Sequence, residues 1–438
     1  RTRRGGVHET HRRFSIPAGT VSCCTSVSDG SPQDASVSSA SAERGTPAED
    51  TLRILQVSTA VQGGGAERVA RDLHLGFGSR GYDAILSVGY VNREDPGVLQ
   101  MPLPRAAGVQ GVVRNAVARG LSPLSPHSKK ALRAQLVLER PGAVIRRWDR
   151  WRGREAFEFP GTASLLDAVP WPPDVVHCHN LHGDYFDLRY LSRLSGAAPL
   201  MLTLHDEWLY TGHCAYTLGC DRWRQGCGEC PDLTLYPAVK RDATASNRAR
   251  KQAIYRESSF YVGAPSRWLL ERAQTSILAD GAAEFRVIPN GVDRTVFSDT
   301  GRREARRRLG VEEDARVLLF AANRARSNPF KDQETVMAAA LRVGQALTDR
   351  RVILISLGEA GPNEQTGNSE IWHLGYEADP ERVADHYRAA DLYLHGAHAD
   401  NAPMTILEAL SCGTPVVATA VGGIPEQVHS LAGVPGAW

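Results

Sequence analysis

The sequence predicts an α/β protein in which two doubly wound parallel sheets follow each other along the chain. From residue 53 onwards, short aliphatic and β-branched runs alternate with longer amphipathic segments, as strands alternate with helices around a parallel sheet. This pattern occurs twice, with a break at residues 295–315. The length of 438 residues also exceeds the roughly 150–250 residues expected of one domain.

The first half is predicted to cover residues 51–297. Its opening strand at residues 53–58 runs into three glycines at residues 63–65, and a helical pattern follows. Further strands are predicted at residues 84–88, 174–179, 199–205, 260–264 and 285–288. Glycines after a first strand permit close approach of an anion, as in a dinucleotide fold. Because the G-x-G-x-x-G spacing of that fold is absent, we expect instead a tight turn that serves packing or acceptor binding.

The second half is predicted to cover residues 298–438, with strands at residues 316–321, 351–357, 371–375, 391–395 and 415–418. Two doubly wound sheets in tandem leave a cleft between the carboxyl ends of their strands, where such sheets bind ligands. The chain stops soon after the last strand without a closing helix, and we expect a C-terminal truncation.

Residues 1–50 begin with several Arg residues and continue with Ser, Ala, Gly, Pro and Asp, so we expect them to be disordered. A transit peptide and a non-native start are the two alternatives, and we favour the second. No apolar run approaches the ~20 residues that cross a bilayer, and we expect a cytoplasmic protein. The net charge of +2 is too balanced to indicate nucleic-acid binding.

Residues 105–154 interrupt the first half with a strongly basic insertion. It contains twelve Arg and Lys residues and only two acidic residues, Glu139 and Asp149. Trp148 and Trp151 lie beside the densest charge, as in segments that meet anionic headgroups. Peripheral contact with an anionic membrane surface and a solvated surface loop are the two alternatives.

A short helix with an open start is predicted after Asp400. Asp400 or Asn401 can cap it, Pro403 suits its first position, and Gly413 can end it. The unpaired backbone N–H groups and the dipole of such a start favour a phosphate or diphosphate. Glu408 lies further along the helix, where a carboxylate packed against a sheet is costly unless it meets hydroxyl groups or positive charge.

Other polar side chains are expected at the same cleft. His177, His179 and His182 follow one strand and His205 ends the next, and we interpret them as hydrogen-bond partners for hydroxyl groups. Metal ligation and a structural hydrogen bond are the alternatives for these histidines. On the second half, the cations that follow the first strand can neutralise a leaving diphosphate. These cations are Arg324, Arg326 and Lys331.

Four cysteines form a local cluster in which one pair has the C-x-x-C spacing. They are Cys214, Cys220, Cys227 and Cys230. In a cytosolic chain such a cluster indicates zinc or free thiols more often than disulfides. Structural zinc and reduced packing cysteines are the alternatives that remain.

Together these motifs resemble family 4 retaining glycosyltransferases of the GT-B fold over about residues 52–430. The resemblance rests on the glycine loop, the strand ending at His205, and segments 265–268, 288–293, 400–415 and 421–426. The family signature Glu-x7-Glu appears here with Asp400 in place of the first Glu and with Glu408 as the second. The cysteine-containing run at residues 219–231 is similar to members that build bacterial exopolysaccharides such as colanic acid.

The resemblance implies a UDP- or GDP-sugar donor and no catalytic metal. It implies that Glu408 binds the donor ribose, that Arg326 and Lys331 hold the diphosphate, and that Asp400 and His205 face the transferred sugar or the acceptor. The base is expected near Gly358 and residues 373–376. The remaining residues expected at the donor are Gly64, Gly65, Arg324, Asn401, Pro403, Met404 and Thr405.

The implied reaction is retaining transfer of the sugar to a glycan or polyprenyl-linked acceptor in polysaccharide biosynthesis, with the departing phosphate oxygen as proton acceptor. One alternative is a catalytically inactive GT-B scaffold, which Asp400 and the missing C-terminal helix would suit. A GT-B nucleotide-sugar epimerase or a sugar phosphorylase is the other alternative.

Overall fold

Two separate β-sheets organise the chain, as the sequence predicts. The computed structural model describes residues 51–91, 93, 95–101, 148–157 and 159–428. The predicted disorder of residues 1–50, most of the basic insertion and the predicted C-terminal truncation lie outside the described residues. All described residues fall within one contact unit, and the domain boundary near residue 297 stays a prediction.

The first sheet has seven parallel strands in the order β3-β2-β1-β4-β5-β6-β7. They are β1 (Arg53–Ala60), β2 (Asp83–Tyr90), β3 (Val98–Gln100), β4 (Val175–Cys178), β5 (Leu200–Thr203), β6 (Phe260–Ala264) and β7 (Ala282–Val287). The six predicted strands are present. The short strand β3 was not predicted, because three residues are too few for a periodic signal.

The second sheet has six strands in the order β10-β11-β9-β8-β12-β13, and only the β10–β11 pair is antiparallel. They are β8 (Arg316–Ala321), β9 (Val352–Leu357), β10 (Glu364–Thr366), β11 (Ser369–Leu374), β12 (Leu392–His395) and β13 (Val416–Ala418). The five predicted strands are confirmed. The exposed edge strand β10 was missed because Glu364, Gln365 and Thr366 carry no apolar pattern.

Helices cover the sheets. They are α1 (Gly65–Ser79), α2 (Leu191–Ala197), α3 (Arg222–Gln225), α4 (Thr244–Arg256), α5 (Arg267–Gln274), α6 (Arg302–Leu309), α7 (Gln333–Ala346), α8 (Pro380–Ala389), α9 (Met404–Ser411) and α10 (Ile424–Gln427). Short 3₁₀ turns occur at Pro160–Ser164, Leu166–Ala168, Leu188–Tyr190, Trp208–Tyr210 and Ile277–Asp280. None of the helices in the described ranges combines the length and apolarity needed to cross a membrane.

The inner strands are buried because parallel sheets are covered on both faces, whereas the edge strands β3, β7 and β10 are more exposed. All six residues of β9 are buried, and so are five of the six residues of β8. Helix α9 packs its apolar side against this sheet through Ile406 and Ala409, both fully buried. This packing fixes the direction of α9, so its first turn faces the cleft rather than the core.

Candidate active site in the cleft between the sheets

The cleft lies where the strand order of each sheet reverses. In the first sheet the reversal falls between β1 and β4, and in the second it falls between β8 and β12. Open α/β sheets bind ligands at this position, beyond the carboxyl ends of the strands. A cavity of about 330 Å³ joins the two reversals. Residues predicted for the site that line it are Gly64, Gly65, His205, Lys331, Asp400, Asn401, Pro403, Met404 and Thr405.

A second cavity of about 430 Å³ continues the first one, because both are lined by Gly64, Gly65 and Thr405. It contains Glu408 and, from the region predicted to hold the base, Gly358 and Tyr376. The two cavities together form one continuous groove with a polar, charged part and a larger part further along α9.

Helix α9 opens directly into this groove. Pro403 is its N-cap and no side chain caps it, so the prediction that Asp400 or Asn401 caps the helix is wrong. Those two side chains are engaged elsewhere, and the first backbone N–H groups of α9 are left without intrahelical partners. The hydroxyl of Thr405 is buried beside that of Tyr393. An acceptor-rich ligand such as a phosphate suits this combination of donors.

Lys331 and Asp400 form an ion pair at the wall of the first cavity, with 2.5 Å between Lys331 Nζ and Asp400 Oδ2. His395, which ends β12, lies 3.3 Å from the same carboxylate oxygen. Burial alone would raise the pKa of Asp400, but Lys331 and His395 lower it below its ordinary value. Asp400 is therefore ionised at neutral pH, and its charge is balanced by Lys331.

Glu408 is 2% exposed, and its carboxylate accepts a hydrogen bond from the guanidinium of Arg68 on α1. This ion pair crosses the cleft from one sheet to the other. Burial raises the pKa of Glu408, while the positive charge of Arg68 opposes that rise. Sequence reasoning missed Arg68, although a cation in the first turn after a glycine loop was a usable signal.

The histidines of the first half form a stack behind the cavity. His179 Nδ1 lies 3.0 Å from His205 Nε2, and His177 Nε2 lies 2.7 Å from the Thr203 hydroxyl. Burial lowers the pKa of His177 and of His205 to about 4. These imidazoles are therefore neutral above pH 5, and only His205 of the three lines the cavity.

His182 behaves differently from this stack. Its Nε2 lies 2.8 Å from Asp206 Oδ2. Burial would lower the pKa of His182, but Asp206 raises it above its ordinary value. His182 is thus a hydrogen-bond partner of Asp206, whereas the stacked histidines offer neutral hydrogen-bonding groups.

Two of the predicted cations do not reach the groove. Arg324 and Arg326 line neither cavity, whereas Lys331 lines the first. The backbone N–H of Arg326 donates to Glu359, 3.0 Å away, and the Arg326 guanidinium lies against Gly361. The spacing of charged residues in a loop does not specify which way each side chain points, so sequence alone did not separate Lys331 from the arginines.

The glycine loop forms part of both cavities. The carboxylate of Glu67 accepts a hydrogen bond of 2.8 Å from the backbone N–H of Gly64 and so closes the loop onto the first turn of α1. No side chain from Gly64 or Gly65 narrows the groove there, and Arg68 follows one turn later.

The two sheets also meet behind the groove. Asn401 is buried and bonds to Ser266, which precedes α5. The carboxylate of Glu426 accepts hydrogen bonds of 2.7 Å from the backbone N–H groups of Arg267 and Trp268, at the start of α5. Asn401 therefore links the halves in addition to lining the first cavity.

Structural zinc at the cysteine cluster stays a prediction. Across the described ranges, no three His, Cys, Asp or Glu side chains converge into a group that could hold a metal ion. The four cysteines are free thiols around one small cavity, where Cys230 Sγ hydrogen-bonds to the Asp232 carbonyl at 3.5 Å. All four cysteines and the buried Trp223 line this cavity, where His213 Nε2 lies 3.4 Å from Cys230 Sγ.

Comparison with known proteins agrees with this arrangement. Residues 301–435 match the family model described as "Glycosyl transferases group 1". The chain is 31% identical over 275 residues to the glycosyl transferase WcaC of Escherichia coli K12, provisionally named for colanic acid biosynthesis. It is 37% identical over 157 residues to a D-inositol 3-phosphate glycosyltransferase of Geodermatophilus obscurus. The alignments cover 60% and 33% of this chain, and 63% and 34% of those relatives.

Among solved structures, sucrose-phosphate synthase from Thermosynechococcus elongatus matches with a TM-score of 0.51 and 14% identity. The match covers 85% of this chain and 82% of that one, and at this identity it establishes the fold alone. The predicted fold is thereby confirmed: the chain has the GT-B fold. Its residues 301–435 match the group 1 glycosyl transferase model, and the alignments span less than two thirds of the length of these two relatives.

Proposed function

We propose that this chain transfers a sugar from a nucleoside-diphosphate-sugar to a glycan or polyprenyl-linked acceptor, with retention of anomeric configuration. The observation that carries the proposal is the meeting of Lys331, Asp400 and the open start of α9 in one cavity. A lysine, a carboxylate and unpaired backbone N–H groups at one point can bind a diphosphate and stabilise the charge that develops when it leaves.

The groove accommodates the donor in three parts. The nucleoside occupies the larger cavity, with its ribose hydroxyls on Glu408 and its base near Gly358 and Tyr376. The diphosphate lies at the start of α9, beside Thr405. The sugar then lies in the first cavity, between Gly64 and His205.

The reaction breaks the bond between the anomeric carbon and the diphosphate oxygen, and both bonding electrons leave with the nucleoside diphosphate. The acceptor hydroxyl forms the new bond on the same face of the sugar and gives its proton to the departing phosphate oxygen. Lys331 turns from Asp400 to the diphosphate as negative charge accumulates there. The ionised Asp400 then faces the cationic sugar.

The proposal is tested by measuring the melting temperature of the protein with UDP, GDP, ADP and their sugars, since a ligand that binds the folded state raises it. We expect one nucleotide series to do so. The donor of that series is then incubated with acceptor glycans and polyprenyl phosphates. Release of nucleoside diphosphate and an unchanged anomeric configuration by NMR are the expected results. An inverted product, or stabilisation by no nucleotide, would contradict the proposal.

A further inference from the structure

Two large aromatic side chains stand exposed on the first half, outside the groove. Trp148 is 55% exposed and Trp151 is 49% exposed. Their rings stack on each other with 5.3 Å between centroids and 28° between planes. Fully burying a large apolar side chain contributes a free energy of roughly 1.5–3 kcal/mol. A pair of exposed indoles therefore indicates a surface that a lipid phase or another molecule covers.

Arginines extend the stack on both sides. The guanidinium of Arg152 lies 5.4 Å from the Trp148 ring, and that of Arg241 lies 3.8 Å from the Trp151 ring. Neither guanidinium has a carboxylate partner within the described residues, and both side chains are exposed. We call these four residues, Trp148, Trp151, Arg152 and Arg241, the indole patch.

The backbone holds the indole patch in place. Residues 148–151 form a helical turn whose inner side is the buried Asp149. Gly153 then takes a φ of 78° against the Arg241 carbonyl, where a Cβ atom would lie 1.8 Å from the oxygen. The Asn247 amide donates to the Gly153 carbonyl at 3.1 Å. This junction positions the backbone that carries the two indoles.

We propose that the indole patch docks the protein on an anionic lipid surface. Indole rings favour the boundary between headgroups and acyl chains, and unpaired arginines favour lipid phosphates. Charge complementarity supports this partner, because residues 105–147, which lead into the patch, contain nine more Arg and Lys residues and one acidic residue, Glu139. The docking is separate from sugar transfer, since none of the four residues lines the groove.

The test uses the full chain and vesicles of phosphatidylcholine with or without phosphatidylglycerol. We expect co-sedimentation only with the phosphatidylglycerol vesicles, weakened by salt, and a blue shift of indole emission on binding. The double variant Trp148→Ala/Trp151→Ala is expected to bind at least about tenfold more weakly, equivalent to the loss of roughly 1.4 kcal/mol. The variant Arg152→Glu/Arg241→Glu is expected to lose binding as well.

Matched controls separate docking from general effects. Tyr82→Ala removes an aromatic ring that is 40% exposed elsewhere on the first half, and Arg303→Glu reverses an exposed charge on the second half. Both should bind vesicles like the unaltered protein. Melting temperatures with and without nucleotide verify that each variant is folded and that its groove is intact.

Three results would overturn the inference. The first is unchanged vesicle binding by both indole-patch variants, and the second is equal binding to vesicles with and without phosphatidylglycerol. The third is retention on a soluble anionic polysaccharide without binding to vesicles, which would assign the indole patch to glycan recognition instead.

Discussion

The two walls of the groove differ in the charges that they present to the first cavity. The wall from the second half is charged: Lys331 and Asp400 form an ion pair, and Glu408 is an acid paired across the cleft with Arg68. The wall from the first half presents His205, a neutral imidazole backed by two more, beside the carboxylate of Asp206, which is paired with His182. Burial lowers the pKa of His177 and of His205 to about 4.

This difference follows from what each wall can stabilise. A buried charge is tolerated where a partner of opposite sign is close, as for Lys331 and Asp400, whereas the stacked imidazoles remain neutral because burial lowers their pKa. Charge on one wall suits a group that leaves as an anion. The neutral imidazole of His205 on the other wall suits a hydroxyl group, whose own charge does not change until the proton departs.

The largest effect on activity is expected from removing the lysine of the charged wall. We predict that Lys331→Met lowers kcat about 100- to 1000-fold, the usual cost of removing one group that stabilises a developing anion. Arg326→Met is the matched control, because Arg326 follows the same strand but lines neither cavity. Its kcat should change less than about threefold, well under 1 kcal/mol in the barrier.

The kcat of both variants is measured by steady-state kinetics with the donor that the melting-temperature screen identifies. A third variant, Lys331→Arg, tests whether a positive charge alone is sufficient for activity. Equal losses for Lys331→Met and Arg326→Met would show that the static positions of these side chains do not predict their roles.

The buried histidine stack is expected to lower the free energy of unfolding in mild acid. The pKa of His177 falls from an ordinary 6.5 to about 4 in the folded protein, so the unfolded chain binds more protons between these values. The free energy of unfolding should therefore fall as pH drops from 6.5 to 4, by on the order of 3 kcal/mol for this one buried group. Asp400, whose folded pKa is lowered, loses its contribution only as pH falls below 3.8.

Urea unfolding at several pH values measures this dependence. His177→Gln should flatten the decline between pH 6.5 and 4 without altering the decline at lower pH. An unchanged slope in that variant would indicate that other groups cause the acid sensitivity.

A smaller effect is expected from the cross-cleft pair. Glu408→Gln should raise the donor KM by about tenfold to a hundredfold, since hydrogen bonds to a charged group contribute roughly 1.5–3 kcal/mol. The control is Glu359→Gln, a carboxylate of the same half that lines neither cavity. Nucleotide titration by calorimetry measures both, and equal affinities for the two variants would argue against a ribose contact at Glu408.

No effect at all is expected from a chelator. Because the four cysteines are free thiols around an apolar cavity, incubation with EDTA or phenanthroline should leave the melting temperature unchanged. A fall of several degrees together with zinc in the dialysed protein would support the metal alternative.

Much of this arrangement was predictable from local pattern. The eleven predicted strands are present, because strands buried on both faces leave continuous apolar runs that a sequence reveals directly. Lys331, Asp400, His205 and the start of α9 were expected together, since loops after parallel strands meet at one edge of a sheet. The strands β3 and β10 were not predicted, because they contain too few residues to show a periodic pattern.

The errors concern directions of side chains. Asp400 was expected to cap α9 but accepts a hydrogen bond from Lys331. The diphosphate role expected of Arg326, whose guanidinium lies against Gly361, stays a prediction. Arg68 was not predicted, because its partner Glu408 is 340 residues away. The cysteines were close in sequence, yet their sulfur atoms do not converge on a metal position in the described structure.

The order of strands and helices, the two-sheet architecture and the glycine loop were set by periodicity and backbone preferences that act over a few residues. The partner of each charge was decided only in the folded protein, because an ion pair depends on distances between segments far apart in the chain. The same applies to the neutral state of the histidines, since a pKa responds to burial and to neighbouring charges, which no single segment contains.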